Sequence, residues 1–184
     1  MKVIVARHAE TNYNEQKLVN YELDAPVVLT QKGLQQAEAL ALDLKDRPIE
    51  LIFVSELNRT QETAMIINKY HNVPIISDPR LNDIRNGFEG ESTSKYREAR
   101  DSAPDPINAR FNGGESIADV GERTREFLAD LKKHLEETIL IVTSNHNAKH
   151  IRIAADHLTI DKILTLYTPN AAFFEFDLED LDGE

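Results

Sequence analysis

Short runs of β-branched and aliphatic residues alternate along this chain with longer segments whose apolar positions recur every three or four residues. Val3-Ile4-Val5, Leu51 to Val54, Val73 to Ile76, Thr138 to Val142 and Ala171 to Phe176 are of the first kind and predict strands. Leu29 to Asp46 is of the second kind, with Leu34, Ala37, Leu40, Ala41 and Leu44 at helical spacing and Thr30 placed as a cap. Asn58 to Tyr70 predicts a helix with Ala64 and Ile67 inward. Glu115 to Glu137 predicts a long one with Ile117, Val120, Phe127 and Leu131 on its apolar side. Shorter helices are expected near Thr93 to Ala103, Asn147 to Leu158 and Ile160 to Leu166. Pro74 puts the third strand near an edge, and Thr138 to Val142, the most hydrophobic run, at the centre. Strands alternating with helices predict an α/β fold, a three-layer α/β/α sandwich with a mostly parallel central sheet.

The pattern weakens from Asp78 to Gly114, where glycines and prolines gather around one expected helix. A long irregular excursion inside a compact unit reads as a lid or binding loop. The expectation is a single domain over residues 1–184 with a lid-like excursion at about 78–114, since 184 residues without a long linker or repeat suit one core. The acidic end, Glu179 to Glu184, is expected to fray. Its Asp180-Leu181-Asp182-Gly183 has the letters of an aspartate-nucleophile loop but no following helix to build a site.

Composition narrows the chemistry. A net charge of −11 argues against sequence-independent nucleic-acid binding, although a few converging arginines still make a local anion pocket. The absence of cysteine excludes thiol nucleophiles, disulfide scaffolds and thiolate zinc sites, and fits a cytoplasmic protein. No long apolar segment predicts a membrane span or signal peptide, so Asn58-Arg59-Thr60 reads as a chance glycosylation triplet.

Three strand-like runs end in polar clusters of similar character: Arg7-His8, Ser55 to Thr60 with Arg59, and Ser144 to Asn147 with His146. In a parallel sheet these ends share one edge, where α/β folds bind ligands. Two arginines facing two histidines suit a dianion: guanidinium forks fit phosphate, and a neutral imidazole can attack phosphorus. A fourth cluster, Leu81 to Gly90, offers carboxyl groups as proton donors. His146 and His150 are one helical turn apart, but no third zinc ligand accompanies them, so no metal is expected. Glu115 reads as a helix-start residue.

These residues also carry a family resemblance. Arg7-His8-Ala9-Glu10-Thr11 with Asn14, Leu29-Thr30 with Gly33 and Gln36-Ala37, and Ser55-x-Leu57-x-Arg59-Thr60 with Thr63-Ala64 resemble successive motifs of the histidine phosphatase superfamily, the phosphoglycerate mutase-like proteins. Gly113 to Ser116 with Arg123, and then His146, continue the order, so the resemblance covers nearly the whole chain. It departs in three places. Ala9 stands for a glycine, Asn147 stands for the glycine after the second histidine, and Asp83 stands for a glutamate before a loop, Gly87 to Gly90, that is one residue shorter.

The resemblance implies a phosphoglycerate mutase-like sandwich and a phosphomonoesterase. It would hydrolyse a small phosphorylated metabolite through a phosphohistidine on His8, without cofactor. His8, Asp83 and His146 would be catalytic, and Arg7, Asn14, Arg59, His146 and Asn147 would bind phosphate. Asp83 would need to be protonated to serve as the acid, with Glu89 and Glu10 as substitutes. A phosphoglycerate-type mutase, or a non-catalytic binder of phospho-ligands, is the alternative. The partners expected are a small phosphorylated substrate or inorganic phosphate, with no nucleic acid and no membrane; specificity would lie in Asp78 to Gly114 and Tyr13 to Val28.

Overall fold

A computed structural model describes residues 1–182 of the chain, and Gly183 and Glu184 of the acidic end lie outside the described residues. Five strands form one sheet: β1 (Lys2–Arg7), β2 (Leu51–Val54), β3 (Ile75–Ser77), β4 (Thr138–Thr143) and β5 (Phe173–Asp177). Their spatial order is β3-β2-β4-β1-β5. All neighbours pair in parallel except β5, which runs antiparallel to β1. β4 is central and β3 is an edge, as expected from hydrophobicity and from Pro74. The edge strand starts at Ile75 because proline has no N–H for the ladder, although its carbonyl still accepts from Ile52 N–H at 3.0 Å.

Six α-helices among the described residues accompany the sheet: α1 (Asn12–Glu15), α2 (Gln31–Leu44), α3 (Asn58–Asn68), α4 (Thr93–Asp101), α5 (Ile117–Leu131) and α6 (Asn145–Ala155). The strand period of two divides the core. Val3, Val5, Leu51, Phe53, Ile139 and Ile141 face one way onto Phe127 and Leu131 of α5 and Ile151 of α6. Ile4, Ala6, Ile52, Val54, Leu140 and Val142 face the other way onto Leu40 and Leu44 of α2 and Ile67 of α3. The three-layer sandwich follows.

Local chemistry explains the helix ends. Thr30 caps α2 through Gly33 N–H. A Cβ on Gly33 would lie 2.0 Å from the carbonyl oxygen of Glu10, so only glycine lets α2 pass the loop after β1. That face turns Leu34 outward, 42% exposed, contrary to its inward expectation. Ser116, not Glu115, caps α5, in a reciprocal pair with Asp119. Glu115 instead accepts from Arg123 at 2.9 Å. In the described part of the acidic end, Leu178–Asp182 forms a 3-10 turn with Leu178 buried, and Glu179 pairs with the Met1 ammonium at 2.6 Å.

Candidate active site

Strand register brings the polar clusters together. Arg7 stands opposite Thr143 in the β1–β4 ladder and Val54 opposite Val142 in the β2–β4 ladder, so the three strands end at one level. Arg7 ends β1 and His8 follows it, Arg59 sits in the first turn of α3 after β2, and His146 sits in the first turn of α6 after β4. Both helices aim their N-termini, the positive ends of their dipoles, at this edge. Asp83 arrives from the excursion. Arg7, His8, Asn14, Arg59, Asp83 and His146 all line a single cavity of about 790 Å³.

His8 is 2% exposed, and its hydrogen bonds fix its tautomer. Nδ1 lies 2.7 Å from the carbonyl oxygen of Ala9, which can only accept, so Nδ1 carries the proton. Nε2 then presents a lone pair, and Arg59 Nε–H donates to it at 3.0 Å. Burial, then the charges of Arg59 and Arg7, hold the imidazole well below the ordinary histidine value, so it is neutral at neutral pH. Ala9 fills its glycine position without strain: it is buried, has no positive φ and donates its N–H to Thr63 Oγ1 at 3.1 Å.

Arg59 is the most connected group of the site. Nη1 donates to Asn20 Oδ1, and Nη2 donates to Asn20 O (3.2 Å), Asp83 Oδ2 (3.1 Å) and Ser144 Oγ (3.2 Å). Arg7 donates from Nη1 to Thr168 O at 2.7 Å and lies over the ring of Tyr167 at 5.4 Å. Its buried Nε has no acceptor among the described residues. Asn14 is held through Oδ1 by Thr11 N–H (3.2 Å) and Asn170 Nδ2 (3.1 Å), which leaves its own NH₂ for a ligand.

Asp83 accepts from Ile84 N–H at 2.9 Å and from His146 Nδ1 at 3.1 Å on one oxygen, and from Arg59 on the other. Burial alone would raise its proton affinity. The hydrogen bond and charge of His146 and the charge of Arg59 outweigh burial and hold the carboxyl well below the ordinary range. The protonated acid expected at Asp83 is therefore an ionised carboxylate in this arrangement. The two substitutes are engaged elsewhere. Glu89 accepts from Asn20 Nδ2 (3.0 Å) and from the N–H groups of Tyr21 (2.6 Å) and Glu22 (3.2 Å), and Glu10 accepts from Thr30 (3.1 Å) and Lys32 (2.7 Å).

Asn147 does not reach the cavity, contrary to its phosphate-binding expectation. One residue past His146, helical rotation turns it inward, fully buried, where Nδ2 donates to Arg80 O (2.9 Å) and Thr124 Oγ1 (3.3 Å). His150 likewise points inward, with Nε2 2.9 Å from Ile117 O. Among the described residues no group of three or more His, Cys, Asp or Glu could hold a metal ion.

Sequence reading missed Asn20, Tyr96, Lys149 and Tyr167. Tyr96 sets its ring edge-on to His146, centroids 6.4 Å apart. The spacing of Lys149, three residues after His146 on a helix, was a usable signal; the others follow no motif. The expected specificity segments do line the cavity, through Tyr13, Lys17 and Asn20 on one side and Asn86, Tyr96 and Arg97 on the other.

This geometry is a cage of cations around a neutral imidazole. A family model, the histidine phosphatase superfamily (branch 1), matches residues 3–183. The chain belongs to that superfamily. Phosphoserine phosphatase 1 of Hydrogenobacter thermophilus is 29% identical to it over 98% of this chain and 88% of its own length. A probable phosphoglycerate mutase GpmB of Serratia proteamaculans is 31% identical, but over 70% of this chain and 61% of its own. Among solved structures, Bacillus stearothermophilus YhfR superposes with a TM-score of 0.80 at 28% identity, covering 95% of this chain and 89% of that one. The superfamily's phosphate chemistry fits the cage, and no helix among the described residues is long and apolar enough to cross a membrane.

Proposed function

We propose that the protein is a phosphomonoesterase that hydrolyses a small phosphorylated metabolite through a phosphohistidine on His8. The observation that carries this reading is the fixed tautomer: Nδ1–H is tied to Ala9 O at 2.7 Å, and Nε2 keeps its lone pair beside two arginines. Nε2 attacks phosphorus and the alkoxide leaves; water then attacks the phosphohistidine, returning His8 and inorganic phosphate. Phosphoryl transfer asks mainly for alignment and charge balance. Arg7, whose Nε–H has no acceptor among the described residues, grips the three phosphoryl oxygens together with Arg59, Asn14 and His146.

Asp83 supplies the leaving-group proton and later takes one from water. Arg59 and His146 hold it ionised, and these are the groups that a phosphoryl dianion recruits. When the dianion takes them, Asp83 loses both partners and gains a negative neighbour, so its proton affinity rises as substrate binds. The guanidinium groups provide the positive charge that a metal would, and the reaction is metal-independent. Residues 78–114 act as a lid, contributing Asp83 and Tyr96 to the cavity wall. The lack of cysteine and the acidic composition suit a cytoplasmic setting.

Hydrolysis of p-nitrophenyl phosphate with a chelator present, in the native protein and in His8→Ala, tests this. Turnover in the first alone supports the reading; equal turnover in both, or a strict need for metal, overturns it. The GpmB relatives keep a mutase reading in view. Phosphoenzyme that persists and passes its phosphoryl group to a second substrate, rather than to water, would favour it.

A further inference from the structure

Asp83 reaches the cavity from an irregular stretch: residues 82–91 belong to no strand or helix. An aspartate carboxyl rides on one methylene, so the backbone sets where its oxygens lie, to within the swing of its side-chain torsions. A reacting group displaced by about 1 Å can lose about 100-fold in rate. The placement of the backbone at residue 83 therefore decides whether Asp83 can serve as the donor, and that placement is made outside the cavity.

The turn before Asp83 is tied to the sheet and to α6. Leu81 is buried and its carbonyl accepts from Thr143 Oγ1 at 2.8 Å, while Arg80 O accepts from Asn147 Nδ2 at 2.9 Å. From Asp83 onward the ties come from α5 and the residues that lead into it. Arg123 Nη1 donates to Arg80 O at 2.5 Å and Nη2 to Asp83 O at 3.4 Å, so one guanidinium spans the backbone from residue 80 to residue 83. The same guanidinium donates to the Glu115 carboxylate, from Nε at 2.9 Å and from Nη2 at 3.3 Å. Glu115 Oε2 in turn accepts from Arg85 N–H at 2.9 Å, and Glu115 N–H donates to Arg85 O at 2.6 Å. Gly114 permits this close approach, since a Cβ there would lie 2.1 Å from Arg85 O. Arg123 and Glu115 themselves line no part of the cavity.

We propose that Arg123 and Glu115 are positioning residues for Asp83: the pair brackets the backbone at Arg80, Asp83 and Arg85 and so sets the reach of the Asp83 carboxyl toward the leaving oxygen. This rests on the phosphatase reading of the cavity, with Asp83 as its proton donor, and deepens it. The role needs a planar fork, because Arg123 serves a carboxylate and two carbonyls at once; lysine would keep the charge without the fork. A partly exposed ion pair with no such role would add little beyond stability.

The test measures kcat and KM for glycerol 3-phosphate and p-nitrophenyl phosphate in the native protein, Arg123→Gln, Arg123→Lys, Asp83→Asn and the double variant Arg123→Gln with Asp83→Asn. A pair that only stabilises the fold would lower both esters equally, by the fraction unfolded. Positioning of the donor should instead lower the alkyl-to-aryl ratio by about 10- to 100-fold in Arg123→Gln, through kcat rather than KM, and Arg123→Lys should not restore it. In the Asp83→Asn background the same substitution should leave the ratio unchanged, because the group it places is gone. An unchanged ratio in Arg123→Gln, or a ratio that falls as far again in the double variant, overturns the proposal. If Arg123→Gln fails to fold, Glu115→Gln, which removes the charge that anchors Arg123 and keeps an amide oxygen, is read in the same way. If Asp83→Asn alone leaves the ratio unchanged, or neither ester turns over, the donor assignment or the phosphatase reading has failed by itself. Amide exchange at Ile84 N–H, which donates to the Asp83 carboxylate at 2.9 Å, then reads the placement without turnover. Arg123→Gln should speed that exchange about tenfold relative to the amides of β4, and an equal change at both overturns the proposal.

Discussion

Replacing Asp83 with asparagine removes the proposed proton-transfer group while nearly preserving shape, and its contacts separate the expected loss by role. The amide oxygen can take the place of the carboxylate oxygen that accepts from Ile84 N–H and His146 Nδ1. The amide NH₂ then faces Arg59 Nη2 across 3.1 Å, donor against donor. One charge-assisted hydrogen bond is lost, about 1.5–3 kcal/mol, or up to about 100-fold in rate if all of it disturbs Arg59. That loss should be common to every substrate, because in the proposed reaction Arg59 grips the phosphoryl group whatever departs from it. The loss of the proton donor is not common. An alkoxide needs its proton and should lose a further 10²- to 10⁴-fold, roughly the size of general-acid terms; p-nitrophenolate leaves well without one. The assay is kcat/KM for glycerol 3-phosphate and p-nitrophenyl phosphate in native and Asp83→Asn proteins. The alkyl-to-aryl ratio should fall by about 10²- to 10⁴-fold. An unchanged ratio would refute the donor assignment and leave Asp83 as a positioning residue for Arg59 and His146.

Native protein quenched during turnover should carry acid-labile, base-stable phosphate on His8, read by mass spectrometry, and His8→Ala should carry none; phosphate on another residue would move the nucleophile. Acid should destabilise the fold through His150. Its pKa lies at about 4, lowered by burial first and then by His146, against 6.5 when unfolded. Below 6.5 the unfolded chain takes a proton that the native one refuses, so stability falls with pH and about 3 kcal/mol is lost by pH 4. His8 and Asp83 add in the same direction, because each is held below its ordinary value in the fold; Asp83 contributes only as the pH falls below the ordinary carboxylate range. Urea unfolding should show this slope and His150→Gln should flatten it; an equal slope in the variant would assign it elsewhere. Asn147→Ala should lower stability by about 1–3 kcal/mol through the bonds to Arg80 O and Thr124, with KM little changed. A raised KM at unchanged melting temperature would return Asn147 to the cavity.

The strand ends were legible because β1, β2 and β4 are uninterrupted apolar runs that stop abruptly at arginine, serine or asparagine, and parallel pairing leaves such ends one edge on which to meet. Glycine at position 33 was legible as a motif letter, but its cause, the Glu10 carbonyl 2.0 Å from a virtual Cβ, is tertiary. The same packing inverted Leu34. Helix α5 stops at Leu131, short of the expected Glu137, where the chain turns to enter β4 and Glu50 accepts from Glu137 N–H at 2.5 Å. No local residue announces that stop. Asn147 misled because adjacency to His146 in sequence is a rotation of about 100° on a helix, which takes the next side chain into the core. Lys149 was hidden by the opposite effect, three residues away in sequence and on the same face. Asn20 lies in an irregular segment with no period at all, and only Arg59 gives it a role.

Arg59 joins four separate stretches of chain: His8 after β1, Asn20 in the following loop, Asp83 in the excursion and Ser144 after β4. A guanidinium has five N–H donors, and all three of its nitrogens are engaged here by protein. In the proposed reaction, a phosphoryl dianion that recruits Arg59 would draw donors from these residues. Releasing Nε–H from His8 would free the lone pair assigned to the attack. Releasing Nη2–H from Asp83 would remove one of the two charges that keep the carboxylate ionised, so the proposed acid would become competent when the proposed nucleophile does. Releasing Asn20 leaves the loop held by Glu89, which explains why that carboxylate serves Asn20, Tyr21 and Glu22 rather than the reaction. Nucleophile, acid and wall are thus coupled through one side chain, and the coupling is specific to a planar fork. Lysine at position 59 would keep the charge but lose the ordered exchange, and so should impair the alkyl ester more than the aryl ester as well as weakening both.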